Sequence, residues 1–257
     1  MRAYGEFADL YDLFMEDIPY ASWKDFICGY LAKQGIRDGI LLDLGCGTGQ
    51  MTRLLRDAGY DMIGVDASAE MLARAAQTDA EGILYLCQDM TSFELYGTVR
   101  AVVSVCDCMN YLLTKKELLA CFKLVHNYLD PGGIFLFDMN SIFKYEQMGE
   151  GSFCENRPEA SFIWDNYYDP DTRENEYDLT FFVQEEGDLY RKFEECHVQK
   201  GYTIEEIREL LEEAGFVWMG VYDGYSERPG DENAERLLFA AREQGKETTL
   251  HAGNEGK

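Results

Sequence analysis

Residues 43–49 read Asp-Leu-Gly-Cys-Gly-Thr-Gly, a carboxylate near the end of an apolar run followed by a glycine at every second position. Glycine permits both left-handed turns and close approach of the backbone to a ligand. A turn of this kind between a buried strand and a helix is where open parallel sheets bind their ligands. Dinucleotide sites space their glycines G-x-G-x-x-G and seat a pyrophosphate on the helix N-terminus. Here Gly45, Gly47 and Gly49 alternate, and the negative charge of Asp43 suits an ammonium group better than a phosphate. Two more carboxylates close later apolar runs: Asp66, a candidate for ribose hydroxyls, and Asp89. The set points to a nucleoside cofactor.

These residues need elements to hold them. From Ile40, short apolar runs alternate with helical patterns, predicting strands at 40–44, 61–65, 83–87, 101–105 and 133–137 and helices at 50–58, 68–77 and 115–128. That rhythm is the signature of a doubly wound parallel α/β sheet. Thr114 to Glu117 and Thr203 to Glu206 have the spacing of capping boxes, and Asp130-Pro-Gly-Gly133 reads as a turn. Upstream, Tyr4, Phe7, Tyr11 and Phe14 recur at near-helical spacing before Pro19. Ser22 is expected to cap a second helix with Trp23, Phe26, Ile27, Tyr30 and Leu31 on one face, ended by Gly35.

After Asp138 the period falls to two. Phe162 to Tyr168, Tyr177 to Val183 and Leu189 to about Gln199 alternate in three segments, with turns at Asp169-Pro-Asp171 and Glu185-Glu-Gly-Asp188. They predict an antiparallel meander inserted before a helix at 204–214 and strands at 216–222 and 235–241. One face of such a sheet can stay open, as a substrate cap requires. The expected organisation is an N-terminal helical lid over 1–35, a core over 36–149 and 201–244, a cap over 150–200 and a disordered tail over 245–257.

In order along the chain, Leu-Asp-Leu-Gly-Cys-Gly-Thr-Gly (42–49), Val-Asp-Ala-Ser (65–68), Gln-Asp-Met (88–90) and Leu-Asp-Pro-Gly-Gly (129–133) resemble the class I S-adenosylmethionine-dependent methyltransferases over residues 36–140. The resemblance implies a Rossmann-like seven-stranded sheet whose last two strands form an antiparallel edge pair, S-adenosyl-L-methionine as cofactor, and methyl transfer. It sets the backbone of Gly45, Cys46 and Gly47 along the methionyl part of the cofactor and Asp43 on its ammonium group. Asp66, with Ala67, falls at the ribose. Met71 falls over the adenine, and Asp89 and the Met90 amide at the adenine edge, although Met71 also fits packing with Leu72 and Ala75. Tyr4 and Tyr11 become lid residues over the cofactor. The segment 104–112 would face the transferred methyl, with Cys106 beside the cofactor, Asp107 as a catalytic candidate, and Asn110 and Tyr111 toward the substrate; Asn110 suits a turn or cap equally. It lacks the Asn/Asp-Pro-Pro-aromatic tetrad of DNA adenine and related amino-methylating enzymes. His197 shares its strand phase with Arg191, Phe193 and Glu195 and is either a base near neutral pH or a surface histidine. In outline the whole chain is similar to bacterial stand-alone methyltransferases of undefined substrate and to glycine N-methyltransferase-like enzymes.

Composition bounds the partners. At 257 residues and 46% hydrophobic content, the chain can bury one substantial core with an insertion. A net charge of −25 weighs against nucleic acid, whose phosphates need clustered Lys and Arg, and favours a neutral or cationic small-molecule substrate. The eight cysteines are scattered without a C-x-x-C pair and the three histidines lie far apart, so reduced buried thiols and no metal are expected. Neither a membrane span nor a signal core is evident, so the expected location is cytoplasmic. A second copy of the chain is a candidate partner, since the meander could be a lid or a dimer surface. Methylation of tRNA or protein, a non-catalytic cofactor-binding regulator and an aminopropyltransferase remain the alternatives.

Overall fold

The computed structural model describes residues 11–12, 15–158, 160–185, 187 and 189–246. Helix α1 (Tyr20–Lys33) precedes an alternating series: β1 (Ile40–Leu44), α2 (Gln50–Asp57), β2 (Asp61–Asp66), α3 (Ala69–Thr78), β3 (Ile83–Cys87), β4 (Val99–Ser104), α4 (Lys115–Tyr128) and β5 (Leu129–Asn140). After α5 (Ile142–Met148) come the cap strands β6 (Gly151–Asn156), β7 (Ala160–Asp169), β8 (Glu174–Gln184) and β9 (Tyr190–Lys200), then α6 (Ile204–Glu213), β10 (Phe216–Asp223) and β11 (Arg236–Glu243).

The main sheet has the order β3-β2-β1-β4-β5-β11-β10, and β6 to β9 form a separate antiparallel sheet. Strands β1 to β5 pair in parallel, whereas β11 runs against both β5 and β10. The last two strands are thus an antiparallel pair, but β11 is interior and only β10 is an edge.

Alternation along the strands feeds two cores, as it must when both faces of a sheet are covered. Leu42, Val102, Phe135 and Phe137 pack with α4 and α6 on one face. Leu41, Ala101, Val103, Ile134 and Leu136 pack with α1 and α2 on the other. Both capping boxes form, at Thr114/Glu117 and Thr203/Glu206.

Local expectations needed correction at three places. Pro19, not Ser22, occupies the N-cap of α1; the Ser22 hydroxyl donates to the Pro19 carbonyl at 2.9 Å. The Asp130–Gly133 turn is absorbed into β5 as an irregularity, with the partner of Val99 being Leu129 and that of Ala101 being Ile134. The meander has four strands, since β6 pairs with β7 from Gly151 to Asn156. Among the described residues no helix is long and apolar enough to cross a membrane.

Candidate active site

The strand order reverses between β1 and β4, and the crevice beyond their carboxyl ends is where this class of sheet binds ligands. A cavity of about 720 Å³ opens there, between the glycine turn, the loop after β4 and the inner face of the cap.

The glycine turn makes one wall. Gly45, Gly47 and Gly49 have φ of 81°, 53° and 77°, the left-handed region that favours glycine. A Cβ on Gly45 would stand 2.7 Å from Cys108 Sγ, so a side chain there would collide with the loop after β4. Asp66 fastens the turn by accepting the Gly47 N–H at 2.7 Å and the Ser68 N–H at 2.8 Å. Burial raises its carboxyl pKa and these backbone donors oppose the rise. Cys46, Ala67, Met71, Asp89 and Met90 line the same end of the cavity.

Asp43 does not line it. The side chain is fully buried; one oxygen accepts the Thr52 hydroxyl at 2.6 Å, and the other has no partner among the described residues. Burial lifts its pKa to about 7. An orphan buried acceptor behind a glycine turn fits a ligand bearing an ammonium group or a water that relays to it.

The loop after β4 makes the opposite wall. Cys106 and Asp107 are non-glycine residues at φ 60° and 53°, an uncommon backbone state that neighbouring contacts must hold. Asp138, fully buried at the end of β5, accepts the Cys106 N–H at 3.2 Å and the Asp107 N–H at 2.6 Å. It also accepts the Tyr225 hydroxyl at 2.5 Å and Arg236 at 2.9 Å. Asp107 is bound to Arg236 at 2.8 Å and to Gln199 Nε2 at 2.7 Å. Burial alone would raise the Asp107 pKa, but Arg236, Lys144 and Gln199 together hold it below the ordinary value. Asp107 is an ionised, fully engaged carboxylate.

The remaining residues divide. Tyr11 and Cys106 line the cavity, as do Tyr111 and His197, whose hydroxyl and Nδ1 stand 3.4 Å apart. Burial lowers the His197 pKa, leaving the ring neutral at pH 7. Tyr4 lies outside the described residues. Asn110 is corrected from a substrate contact to a structural pin: it is fully buried, away from the cavity lining, donating to the carbonyls of Asn140 at 3.0 Å and Lys200 at 2.9 Å and accepting the Asn140 N–H at 2.9 Å. Sequence reasoning missed Lys144, Gln199 and Arg236, all of which line the cavity, and Asp138 behind them. For two of these a signal existed: Asp138 closes the apolar run Ile134–Phe137 as Asp66 closes its own, and Arg236 directly precedes the apolar run Leu237–Ala241.

Ahead of α1, the described residues Tyr11, Met15 and Ile18 line the cavity. Asp12 accepts from the Thr48 hydroxyl at 2.6 Å, and Glu16 from Arg157 at 3.0 Å, so one short stretch is tied both to the glycine turn and to the cap.

Residues 41–133 match the family described as "Methyltransferase domain". A Bacillus subtilis (strain 168) protein named "Putative methyltransferase YqeM" is 36% identical over 245 residues, 93% of this chain and 96% of that protein. The chain belongs to the class I S-adenosylmethionine-dependent methyltransferases. A crystal structure of such a methyltransferase from Clostridium acetobutylicum ATCC 824 superposes with a TM-score of 0.84 at 29% identity, covering 94% of this chain and 99% of that one. A Streptomyces venezuelae protein named dTDP-3-amino-3,4,6-trideoxy-alpha-D-glucopyranose N,N-dimethyltransferase is 31% identical over 133 residues, 51% of this chain and 56% of that protein. The methyl donor of this methyltransferase is S-adenosylmethionine, and the open glycine turn, half-buried Asp66 and orphan oxygen of Asp43 fit it.

Proposed function

We propose that this methyltransferase acts on a small-molecule acceptor held between the glycine turn and the inner face of the cap. The observation that carries the reading is the cavity itself: 720 Å³, bounded at one end by Gly45–Thr48 and Asp66 and at the other by the aromatic face of the cap. That volume falls within the usual range for small-molecule sites. The net charge of −25 argues against a nucleic-acid acceptor, and the Streptomyces venezuelae relative is named for a small sugar nucleotide.

In this reading Asp66 receives the ribose hydroxyls and Asp43 answers the ammonium group. Gly45, Cys46 and Gly47 lie along the methionyl chain, Ala67 lies beside the ribose, and Met71, Asp89 and Met90 surround the base. Tyr11 covers the donor. The donor supplies a methyl group on a positively charged sulfur, which an acceptor lone pair displaces in line. The protein's task is to align and dry the pair; such positioning supplies about 7–11 kcal/mol of barrier lowering. Asp107, ionised and bound on both oxygens, acts as a positioning residue for the loop carrying Cys106. His197, neutral and on the cavity wall, takes the acceptor's proton, with Tyr111 orienting its ring.

Calorimetric titration of S-adenosylhomocysteine tests this reading, with Asp66→Asn as the control because it keeps an acceptor for the glycine turn. Micromolar binding in the parent that weakens at least about tenfold in the variant is expected, the loss of one charge-assisted bond. Equal binding by both proteins would remove Asp66 from the donor site.

A further inference from the structure

The inner face of the cap carries polar groups that methyl transfer does not use. Register aligns Trp164, Leu179 and Glu195 across β7, β8 and β9. Alternation places them on the face from which Trp164, Leu179, His197 and Gln199 line the cavity, with Glu195 itself buried behind that lining. Glu195 is only 8% exposed, and its Oε1 has no hydrogen-bond partner among the described residues. The Trp164 indole N–H is likewise buried without one. The next row is Phe162, Phe181 and Phe193, so the surroundings are aromatic.

A carboxylate withdrawn from water into an apolar wall is costly unless a counter-charge meets it, and burial holds the Glu195 carboxyl above its ordinary pKa. Its position along the strand sets a distance. Gln199 touches Asp107 at the methyl-transfer end at 2.7 Å. Glu195 is four residues away on the same strand, which at roughly 3.3 Å per residue is about 13 Å.

Resting on the proposed function, we infer that Glu195 anchors an ammonium group at the end of the acceptor away from the methylated atom, about 7 Å along the strand from His197 and about 13 Å from Gln199. Across Leu179 in the same row, the Trp164 ring lines the same cavity and offers a further face to such a cation. The row between, Tyr177 and His197, takes the acceptor's skeleton, with Leu179 level with Glu195 and Phe181 beyond it. The acceptor class is therefore a small amphipathic molecule with a cationic tail, which the overall negative charge of the protein also attracts.

The test titrates n-hexylammonium, 1-hexanol and hexanoate into the protein, with and without saturating S-adenosylhomocysteine. The expected result is hexylammonium binding at least about tenfold tighter than hexanol, hexanoate binding weakest, and Glu195→Gln erasing the preference. Equal affinity of the parent for hexylammonium and hexanol would overturn the inference without recourse to any variant, as would a Glu195→Gln protein that keeps the preference. Absence of S-adenosylhomocysteine binding would count against the proposed donor site instead, while the ammonium preference would still be read in the ligand-free arm.

Discussion

Arg236 joins the frame to the reaction end, and its removal has a calculable cost. Its guanidinium donates to Asp138 at 2.9 Å and Asp107 at 2.8 Å and lies 5.3 Å from the centroid of the Trp23 ring. Arg236→Met keeps the packing on Trp23 but leaves Asp138, fully buried, with only neutral donors: the Tyr225 hydroxyl and two backbone N–H groups. Removing one partner of a buried ion pair costs about 3–5 kcal/mol. With the Arg236 side chain 19% exposed, water relieves part of this, favouring the low end. A loss of about 3 kcal/mol corresponds to a fall in Tm of roughly 6–12 °C for a domain this size. The pH dependence is a second signature. In the parent, the lowered pKa of Asp107 adds stability that is present above the unfolded carboxyl value of about 3.9 and lost as pH falls through the folded value. Without Arg236, burial is less opposed and the folded pKa rises, so this contribution shrinks and the deficit against the parent should widen from about pH 5 to about pH 8. Urea unfolding at both pH values measures it. A deficit below about 1 kcal/mol, or one equal at the two pH values, would refute the assignment of Arg236 as the counter-charge of this loop.

Asp43 makes the opposite prediction. Its pKa, lifted by burial to about 7, means that its contribution to stability is full below the unfolded carboxyl value and is lost as pH rises through about 7. Asp43→Asn keeps an acceptor for Thr52, so the ligand-free variant should gain in melting temperature over the parent by more at about pH 8 than at about pH 5, while binding S-adenosylhomocysteine at least about tenfold more weakly; an equal difference at the two pH values would remove the uncompensated carboxylate. Proton NMR of His197 should give a titration midpoint below the free value of about 6.5, since burial penalises its charged form. In His197→Gln, turnover with any working acceptor should fall about 10²–10⁴-fold with donor affinity unchanged, and a variant that retains the parent's acid limb would exclude His197 as the base.

The parallel core was legible because its signals are local. A glycine turn, an aspartate at or near the end of several apolar runs and short apolar strands covered on both faces are written within a few positions of one another. Strand β6 was not, because Gly-Ser-Phe-Cys-Glu-Asn is an edge segment exposed along most of its length and carries no clean alternation. Ser22 misled because it is a good N-cap residue, yet the chain was already turned into the helix at Pro19, whose fixed φ suits a helix start.

The reaction end of the cavity was legible only in pieces. Asp107, Asp138, Lys144, Gln199 and Arg236 come from five separate segments, and no spacing rule relates them. What relates them is charge balance inside a low-dielectric space: two buried carboxylates fix the strained turn after β4, so cations must come from elsewhere to meet them. Arg236 opens β11, which sits directly beside β5, and its pairing with Asn140 in register puts it on the same face as Asp138, two residues away along β5. The interior antiparallel placement of β11 therefore does more than complete the sheet. It delivers a guanidinium that bridges Asp107 and Asp138, so the topology of the last strand and the geometry of the reaction end are a single constraint.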